Sequence, residues 1–187
     1  CHSSDGSDGG DSTSLASLAS LKTLRPELEF WFESCNVSTR VLDKLVTQNT
    51  FNGADRPRVD GGRFNGMLKG FIDLVFEHNG QYYVLDYKSN VLGDNDSAYT
   101  NQAMGQAILD KRYDLQYVLY LLALHRLLKA RLPDYDYDQH VGGAVYLFLR
   151  GIHAPGAGAF CDKPPKALME QLDAMFDGRA TAAEVAA

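Results

Sequence analysis

The sequence is poor in cysteine and has no long apolar run. Its three cysteines, Cys1, Cys35 and Cys161, are far apart and form no Cys-x-x-Cys pair, so their spacing indicates neither a disulfide framework nor a zinc or iron–sulfur site. No apolar stretch reaches the ~18 residues that cross a bilayer. The opening residues, CHSSDGSDGGDSTS, lack the basic and apolar regions of a signal peptide. These features favour a cytoplasmic protein.

An excess of basic residues is also missing, since the formal net charge is −6. This charge argues against a free-standing protein that binds nucleic acid through a broad basic surface. It leaves open a nuclease whose acids hold cations, and a module to which neighbouring domains deliver DNA. The sequence also lacks the G-x-x-x-x-G-K-[ST] motif of an ATP-binding loop. Any use of ATP would therefore belong to regions that this chain does not contain.

The composition is that of an ordinary globular protein. The 187 residues are 45% hydrophobic and 22% charged, which predicts a single domain with a proper core. Residues 1–14, rich in Ser, Gly and Asp, are typical of a flexible linker or tail. We expect the folded domain over residues 15–180 and a fraying Ala-rich tail at 181–187.

Hydrophobic periodicity predicts an α/β layer fold with a mixed sheet. The run ELEFWF indicates a strand that follows weakly helical Leu/Ala spacing, and residues 47–66 predict a loop or an irregular edge hairpin. Further elements are a helix over roughly 99–111 capped by Asp96 or Ser97, a helix over Tyr113–Leu132, a buried strand in VGGAVYLFLRG and a final helix in PPKALMEQLDAMF.

A β-hairpin is predicted between residues 67 and 88. Asn79-Gly80 lies between two alternating runs and is a strong signal for a type I′ turn, whose two central residues need positive φ. A two-residue loop pairs His78 with Gln81, and counting back along both strands places Asp73 opposite Asp86. Their β-carbons are then roughly 5 Å apart on one face of the sheet. Lys88, two residues after Asp86, points to the same face.

Two acids facing each other in this way need a cation or a proton. Like charges set opposite one another on a sheet are destabilising. The pair suits a hard divalent ion such as Mg²⁺, which needs only one or two protein carboxylates. The alternative is an amphipathic hairpin with solvated acids and a surface Asp86–Lys88 ion pair. Asp86 lies in YYVLDYK, a run typical of a buried strand, and this favours the ion.

An acid on one strand followed by D-x-K on the next resembles the PD-(D/E)xK nuclease superfamily. With GMLKGFIDLVF, YKSN, RYDLQYVLYLLALHR and DYDYDQHVGGAVYLFLRG, the chain more specifically resembles the C-terminal nuclease domains of the RecB family, the beta subunits of RecBCD helicase–nucleases. The resemblance covers roughly residues 27–178. It implies a restriction-endonuclease-like fold, a mixed central sheet flanked by helices.

The resemblance also implies roles for individual residues. Asp73 and Asp86 look like the metal-binding acids of the family, with the backbone carbonyl of Tyr87 as a further ligand. Lys88 looks like the lysine that orients the attacking water and offsets charge on the phosphate. Glu29, in ELEF, resembles an acid that assists the metal, although a solvent-facing acid at that position is an equal alternative.

A second group of candidates lies on the predicted helix from residue 113. Gln116 and Tyr120 match the Q-x-x-x-Y signature of the family, and they share one helical face with Tyr113. A glutamine in so apolar a helix needs hydrogen-bond partners. The DNA backbone or the acids of the hairpin are candidates, and a purely structural hydrogen bond is the alternative.

One family feature has no counterpart in the sequence. The family also uses a histidine on a helix well upstream of the ELEF-like strand, whereas the only upstream histidine here is His2 in the Ser/Gly/Asp-rich tail. We therefore expect the chain to begin after that motif, with a metal site short of one ligand. His78, His125, His140 and His153 are expected to be structural or solvent-facing.

The resemblance implies a DNA nuclease domain that uses Mg²⁺, with Mn²⁺ as a substitute, in double-strand break processing and recombinational repair. The implied partners are DNA, as double-stranded ends and unwound single strands, the subunits RecC and RecD, and the recombinase RecA. Two alternatives remain. In the first, the domain is a catalytically silent docking module for RecC or RecA. In the second, it is a stand-alone PD-(D/E)xK nuclease.

Overall fold

The structure, a computed structural model, describes residues 23–153 and 156–179. The predicted tail at 1–14, the Leu/Ala-rich stretch that follows it and the predicted fraying at 181–187 lie outside these residues. No helix of the described part is both long and apolar enough to span a membrane.

Five strands and five helices form the described part of the chain. The strands are β1 (Thr23–Ser38), β2 (Arg63–His78), β3 (Gln81–Lys88), β4 (Val141–Phe148) and β5 (Ala159–Asp162). The helices are α1 (Thr39–Asn49), α2 (Asn101–Lys111), α3 (Tyr113–Arg131), α4 (Tyr137–His140) and α5 (Lys166–Phe176).

The strands form one mixed sheet in the order β1-β2-β3-β4-β5. Neighbouring strands are antiparallel except for β3 and β4, which are parallel. A parallel pair needs a long crossover, and α2 and α3 supply it. The predicted α/β fold with a mixed sheet is therefore confirmed. Helix α1 and strand β5 were not predicted, and β5, with only four residues, is too short to show a hydrophobic period.

Helix α3 is the central helix of the domain. It contacts strands β1, β3 and β4 and helices α1, α2 and α5. These contacts explain why its middle is apolar on nearly all sides, as the sequence indicates. It ends at Arg131, one residue earlier than predicted. Because Pro133 disfavours helical backbone in the residue before it, Leu132 is extended, with φ −103° and ψ 120°.

The predicted cap of α2 is wrong. The Thr100 hydroxyl accepts a hydrogen bond from the Ala103 backbone N–H at 3.2 Å and caps the helix. Asp96–Ala98 instead forms a separate 3₁₀ turn. Each of these side chains has the chemistry of a helix cap, so local sequence alone does not decide which of them begins the helix.

The hairpin between β2 and β3 forms as predicted. Asn79 and Gly80 both have positive φ, 52° and 79°, as a type I′ turn requires. His78 pairs with Gln81, and the register continues without a shift to Leu74 opposite Leu85. The turn chemistry therefore sets the alignment of the two strands.

His125 gives the fold a pH dependence. Its ring is buried in α3, where Nδ1 is hydrogen-bonded to the Tyr135 hydroxyl at 2.8 Å. Burial lowers the pKa of His125, although the nearby Asp173 carboxylate opposes this shift. The unfolded chain takes up a proton on this ring near the ordinary value of about 6.5. The folded protein does so only at lower pH.

We therefore expect the free energy of unfolding to fall as the pH drops from 7 towards 5, because protonation of His125 then favours the unfolded chain. Urea unfolding followed by circular dichroism at both pH values measures the change. The variant H125Q should lose this part of the pH dependence, whereas H153Q, at an exposed position, should keep it. An unchanged pH dependence in H125Q would contradict the assignment.

Candidate active site

Asp73 and Asp86 each directly adjoin the last regular pair of the β2–β3 hairpin. Backbone pairing between β2 and β3 is regular as far as Leu74 opposite Leu85, one residue before the two acids. There the Tyr87 backbone N–H donates to Asp73 Oδ2 at 3.1 Å. The Asp73 carboxylate therefore accepts a hydrogen bond from β3 at the point where the regular backbone pairing of β2 with β3 ends. We call this point the strand fork.

A local irregularity of the sheet accompanies Asp73. On β1, Glu27 lies level with Asp73, has a positive φ of 49° and is skipped by the backbone pairs on either side. Asp73 is therefore passed over in the backbone pairing of β2 with both β1 and β3, which the sequence does not reveal.

Asp86 is a buried acid with a cation beside it. Its Oδ2 atom lies 2.6 Å from Nζ of Lys88, and each side chain is only 8% exposed. The alternative of a solvated surface pair is therefore wrong. Burial raises the pKa of the Asp86 carboxyl above its usual value, the ion pair with Lys88 opposes this, and the charge of Asp73 adds to it. The site therefore favours positive charge next to Asp86.

Gln116 connects helix α3 to this pair. Its Oε1 accepts a hydrogen bond from Lys88 Nζ at 2.7 Å, and its Nε2 donates to the Tyr120 hydroxyl at 2.8 Å and to Asp86 Oδ1 at 3.4 Å. The glutamine therefore finds its partners in the hairpin and on its own helix. Burial raises the pKa of Tyr120, and the charges of Asp86 and Asp73 add to that effect.

Two tyrosine rings surround the Lys88 ammonium. Nζ lies 3.8 Å from the centroid of the Tyr113 ring and 4.5 Å from that of Tyr146, within the range of cation–π attraction. Tyr113 was predicted to share the face of Gln116, but Tyr146 was missed. It lies opposite Asp86 in the parallel β3–β4 pairing, and only that non-local register could have revealed it.

The arrangement is an acid at a strand fork, a buried Asp-x-Lys and a helix that presents glutamine and tyrosine to them. A family model of the PD-(D/E)XK nuclease superfamily matches residues 19–186. The chain belongs to this superfamily.

RecB proteins are among the individual proteins to which this chain is similar. The chain is 50% identical over 155 residues to the RecBCD enzyme subunit RecB of Escherichia coli strain K12, a match that covers 81% of this chain and 13% of that protein. It is 48% identical over 115 residues to the Haemophilus influenzae RecB, covering 61% of this chain and 10% of the relative. The RecB of Mycobacterium tuberculosis strain H37Rv is 40% identical over 121 residues, covering 60% and 11%. The chain thus spans only about an eighth or less of these relatives.

PD-(D/E)XK nucleases generally use divalent metal ions, and the residues at the fork fit such an ion. The Asp73 and Asp86 carboxylates and the Tyr87 carbonyl are hard oxygen donors, and the Lys88 ammonium against Asp86 shows that the position suits positive charge. Within residues 23–153 and 156–179, no three His, Cys, Asp or Glu side chains cluster as a metal cage. A pair of carboxylates suits Mg²⁺, which keeps several of its waters.

The structure does not bring Glu29 into this group. Its Oε1 atom lies 2.8 Å from Lys69 Nζ and accepts a hydrogen bond from Trp31 Nε1 at 2.5 Å. The hydrogen bond from Lys69 is the main reason that the pKa of Glu29 is lowered. Lys69 also lies over the rings of Trp31 and Phe71. Glu29 therefore belongs to a row of exposed side chains formed by Glu29, Trp31, Lys69 and Phe71. We call this row the exposed ladder, and the paired strands β1 and β2 that carry it the β1–β2 ribbon.

A buried ion network that was not predicted holds the start of α3. Asp114 Oδ2 lies 2.9 Å from Nη1 of Arg56, with side chains only 0% and 1% exposed, and Asp114 Oδ1 lies 3.1 Å from Nε of Arg112. Arg112 also reaches Asp43 at 2.6 Å. Because Asp114 precedes Gln116 by two residues, the network fixes the turn of helix that carries the glutamine.

Proposed function

We propose that this domain is a metal-dependent DNA nuclease that hydrolyses phosphodiester bonds with Mg²⁺, as the nuclease domain of a RecBCD-type helicase–nuclease of the exodeoxyribonuclease V type. The observation that carries the proposal is the buried Asp86–Lys88 pair beside Asp73, hydrogen-bonded to a glutamine of α3. A buried Asp86 beside the partly exposed Asp73, with a lysine two residues after Asp86, has the donors for a cation and a positive group for a phosphate.

The Asp73 and Asp86 carboxylates and the Tyr87 carbonyl would hold the metal. When bound, the ion supplies positive charge at the phosphate and acidifies water. Lys88 orients the attacking water by a hydrogen bond and offsets the negative charge that develops on the phosphate oxygens. Gln116 and Tyr120 keep the lysine side chain directed to this point, since Gln116 bonds both of them.

The wider role follows the RecB relatives. We propose that residues 15–180 form the nuclease domain, that residues 1–14 link it to other regions and that 181–187 form a tail. The nuclease domain acts in the cytoplasm on double-stranded DNA ends and on unwound single strands of DNA, during break processing and recombinational repair. RecC and RecD are its partner subunits and RecA the recombinase that follows. ATP is used only by helicase regions that this chain does not contain, and Mn²⁺ substitutes for Mg²⁺.

The exposed face of the β1–β2 ribbon favours a second candidate, a silent docking module for RecC or RecA. Trp31, Met67 and Phe71 are all large, apolar and more than half exposed, and exposed apolar patches mark interaction sites. Docking and catalysis differ in their dependence on Lys88, which lies in the active site and not on this face. A stand-alone nuclease of the superfamily is the third candidate, and it would need neither RecC nor RecD.

The test is digestion of linear duplex and single-stranded DNA by the 187-residue chain. We expect acid-soluble nucleotides with Mg²⁺ and none with EDTA. The variant K88A should be slower by roughly a hundredfold, because it loses a charge aimed at the transition state. The variant K166A, which removes a lysine paired with Asp136, should digest DNA at the parent rate.

Three results would contradict the nuclease proposal. They are digestion that persists in EDTA, K88A at the parent rate, and a parent chain that digests no DNA yet retains RecC or RecA in a pull-down. The last result would establish the docking module instead. Full activity with no gain on adding RecC and RecD would favour the stand-alone enzyme.

A further inference from the structure

The Lys88 ammonium is held by two kinds of contact. Hydrogen bonds join it to Asp86 at 2.6 Å and Gln116 at 2.7 Å. The faces of Tyr113 and Tyr146 lie 3.8 and 4.5 Å from it. Of these contacts only the one with Asp86 depends on the charge of a carboxylate, whereas the bond to the neutral Gln116 amide and the contacts with the two rings do not.

Tyr146 is firmly fixed in this position. Its side chain is buried, with 1% of the residue exposed, and its hydroxyl donates to the Tyr113 carbonyl at 2.8 Å. Its ring also packs edge-on against Tyr117 and tilted against Tyr113, with centroids 5.9 Å away in both cases. The ring therefore has little freedom to follow Lys88 if the lysine moves.

A divalent ion bound by Asp86 competes with Lys88 for the same carboxylate. Once the ion is bound, the carboxylate charge is shared and the Asp86–Lys88 pair weakens. A lysine on a flexible four-carbon stem would then leave, unless other contacts hold it. Cation–π attraction is stronger in a desolvated site than at an exposed one, and this site is buried.

We propose that Tyr113 and Tyr146 form an aromatic cage that keeps the Lys88 ammonium beside the metal position after Asp86 binds its ion. Both tyrosines are positioning residues that act through the lysine. This inference rests on the proposed nuclease function. It adds Tyr146 to the residues on which the rate of cleavage depends.

The direct test is NMR of the 187-residue chain with ¹³C-labelled lysine and no DNA. Protons near the faces of aromatic rings resonate upfield, so the Lys88 side chain should give a shifted signal that the variant K88R lacks. In the parent chain this signal should stay upfield when Mg²⁺ is added. In Y146L it should move with Mg²⁺ towards the position of solvent-exposed lysines, and in Y146F, which keeps the ring, it should stay.

Cleavage kinetics give a second measurement. In Y146L we expect kcat to fall roughly thirtyfold, the effect of one desolvated cation–π contact, with KM for DNA and the calorimetric affinity for Mg²⁺ near the parent values. Y146F should recover most of kcat. If Y146L does not fold, Y113L provides the same comparison, with Y113F as its control.

The proposal is overturned if the Lys88 signal in the parent chain moves to the exposed position when Mg²⁺ binds, or if Y146L and Y113L keep the parent kcat. It is also overturned if the phenylalanine variants fail as badly as the leucine variants, because hydroxyl bonds and not ring faces would then be responsible. A parent chain that cleaves no DNA but shows the expected NMR response refutes the nuclease function and leaves the cage in place.

Discussion

Replacing Asp86 with asparagine will reduce Mg²⁺-dependent cleavage of DNA by this domain to a small residual rate. The carboxylate lies at the strand fork beside Asp73, where the proposed metal ion would need its full negative charge. Asparagine keeps the size and a hydrogen-bond acceptor for Lys88 but removes that charge. We expect the rate to fall by roughly a thousandfold, in line with the loss of a group that holds transition-state charge.

Two measurements separate this effect from unfolding. Calorimetric titration with Mn²⁺ should show binding to the parent chain and none to D86N, while circular dichroism shows the same secondary structure in both. The matched control is D134N, at an exposed aspartate in the turn after α3, which should bind Mn²⁺ and cleave DNA like the parent. Cleavage by D86N at the parent rate would mean that the hairpin acids do not hold the metal.

The second large effect is on stability. Arg56 and Asp114 form a fully buried ion pair, and Arg56 also donates to the Thr50 hydroxyl at 2.7 Å and to the Thr50 carbonyl at 2.9 Å. Methionine at position 56 leaves the Asp114 charge with Arg112 alone. Removing one partner of a buried pair lowers the free energy of unfolding by about 3–5 kcal/mol, so we expect a loss of this size in R56M.

Urea unfolding followed by circular dichroism measures the loss. The control R58M, at an exposed arginine two residues away, should change the free energy of unfolding by less than about 0.5 kcal/mol. The double variant R56M/D114N should lose less than the sum of the two single variants, because the two side chains interact directly. Equal stability of R56M and R58M would show that the network does not hold α3.

The elements that were predicted correctly depend on local chemistry. The Asn79-Gly80 turn specifies its own backbone and therefore the strand register, which the structure follows from His78 opposite Gln81 to Leu74 opposite Leu85. The helical repeat was enough to place Gln116 and Tyr120 on one face. Turn geometry and helical period act over a few residues, so a sequence shows them directly.

What was missed depends on contacts between distant parts of the chain. Tyr146 reaches Lys88 only through the parallel pairing of β3 with β4. Arg56 and Asp114 are 58 residues apart and meet only in the folded core. The irregularity at Asp73 likewise involves the neighbouring strand. None of these leaves a pattern within one segment, and the metal-ligand and catalytic roles assigned to the site residues stay predictions.

The exposed ladder on the β1–β2 ribbon decides what an optical experiment on this protein can detect. Trp31 is the only tryptophan in the chain, it is 55% exposed, and its indole N–H is bonded to Glu29. Fluorescence excited at the red edge of the protein absorption band therefore comes from one indole that already faces water in the native state. Its emission maximum should shift little on global unfolding, and quenchers or a protein that covers this face will change it while the core stays intact.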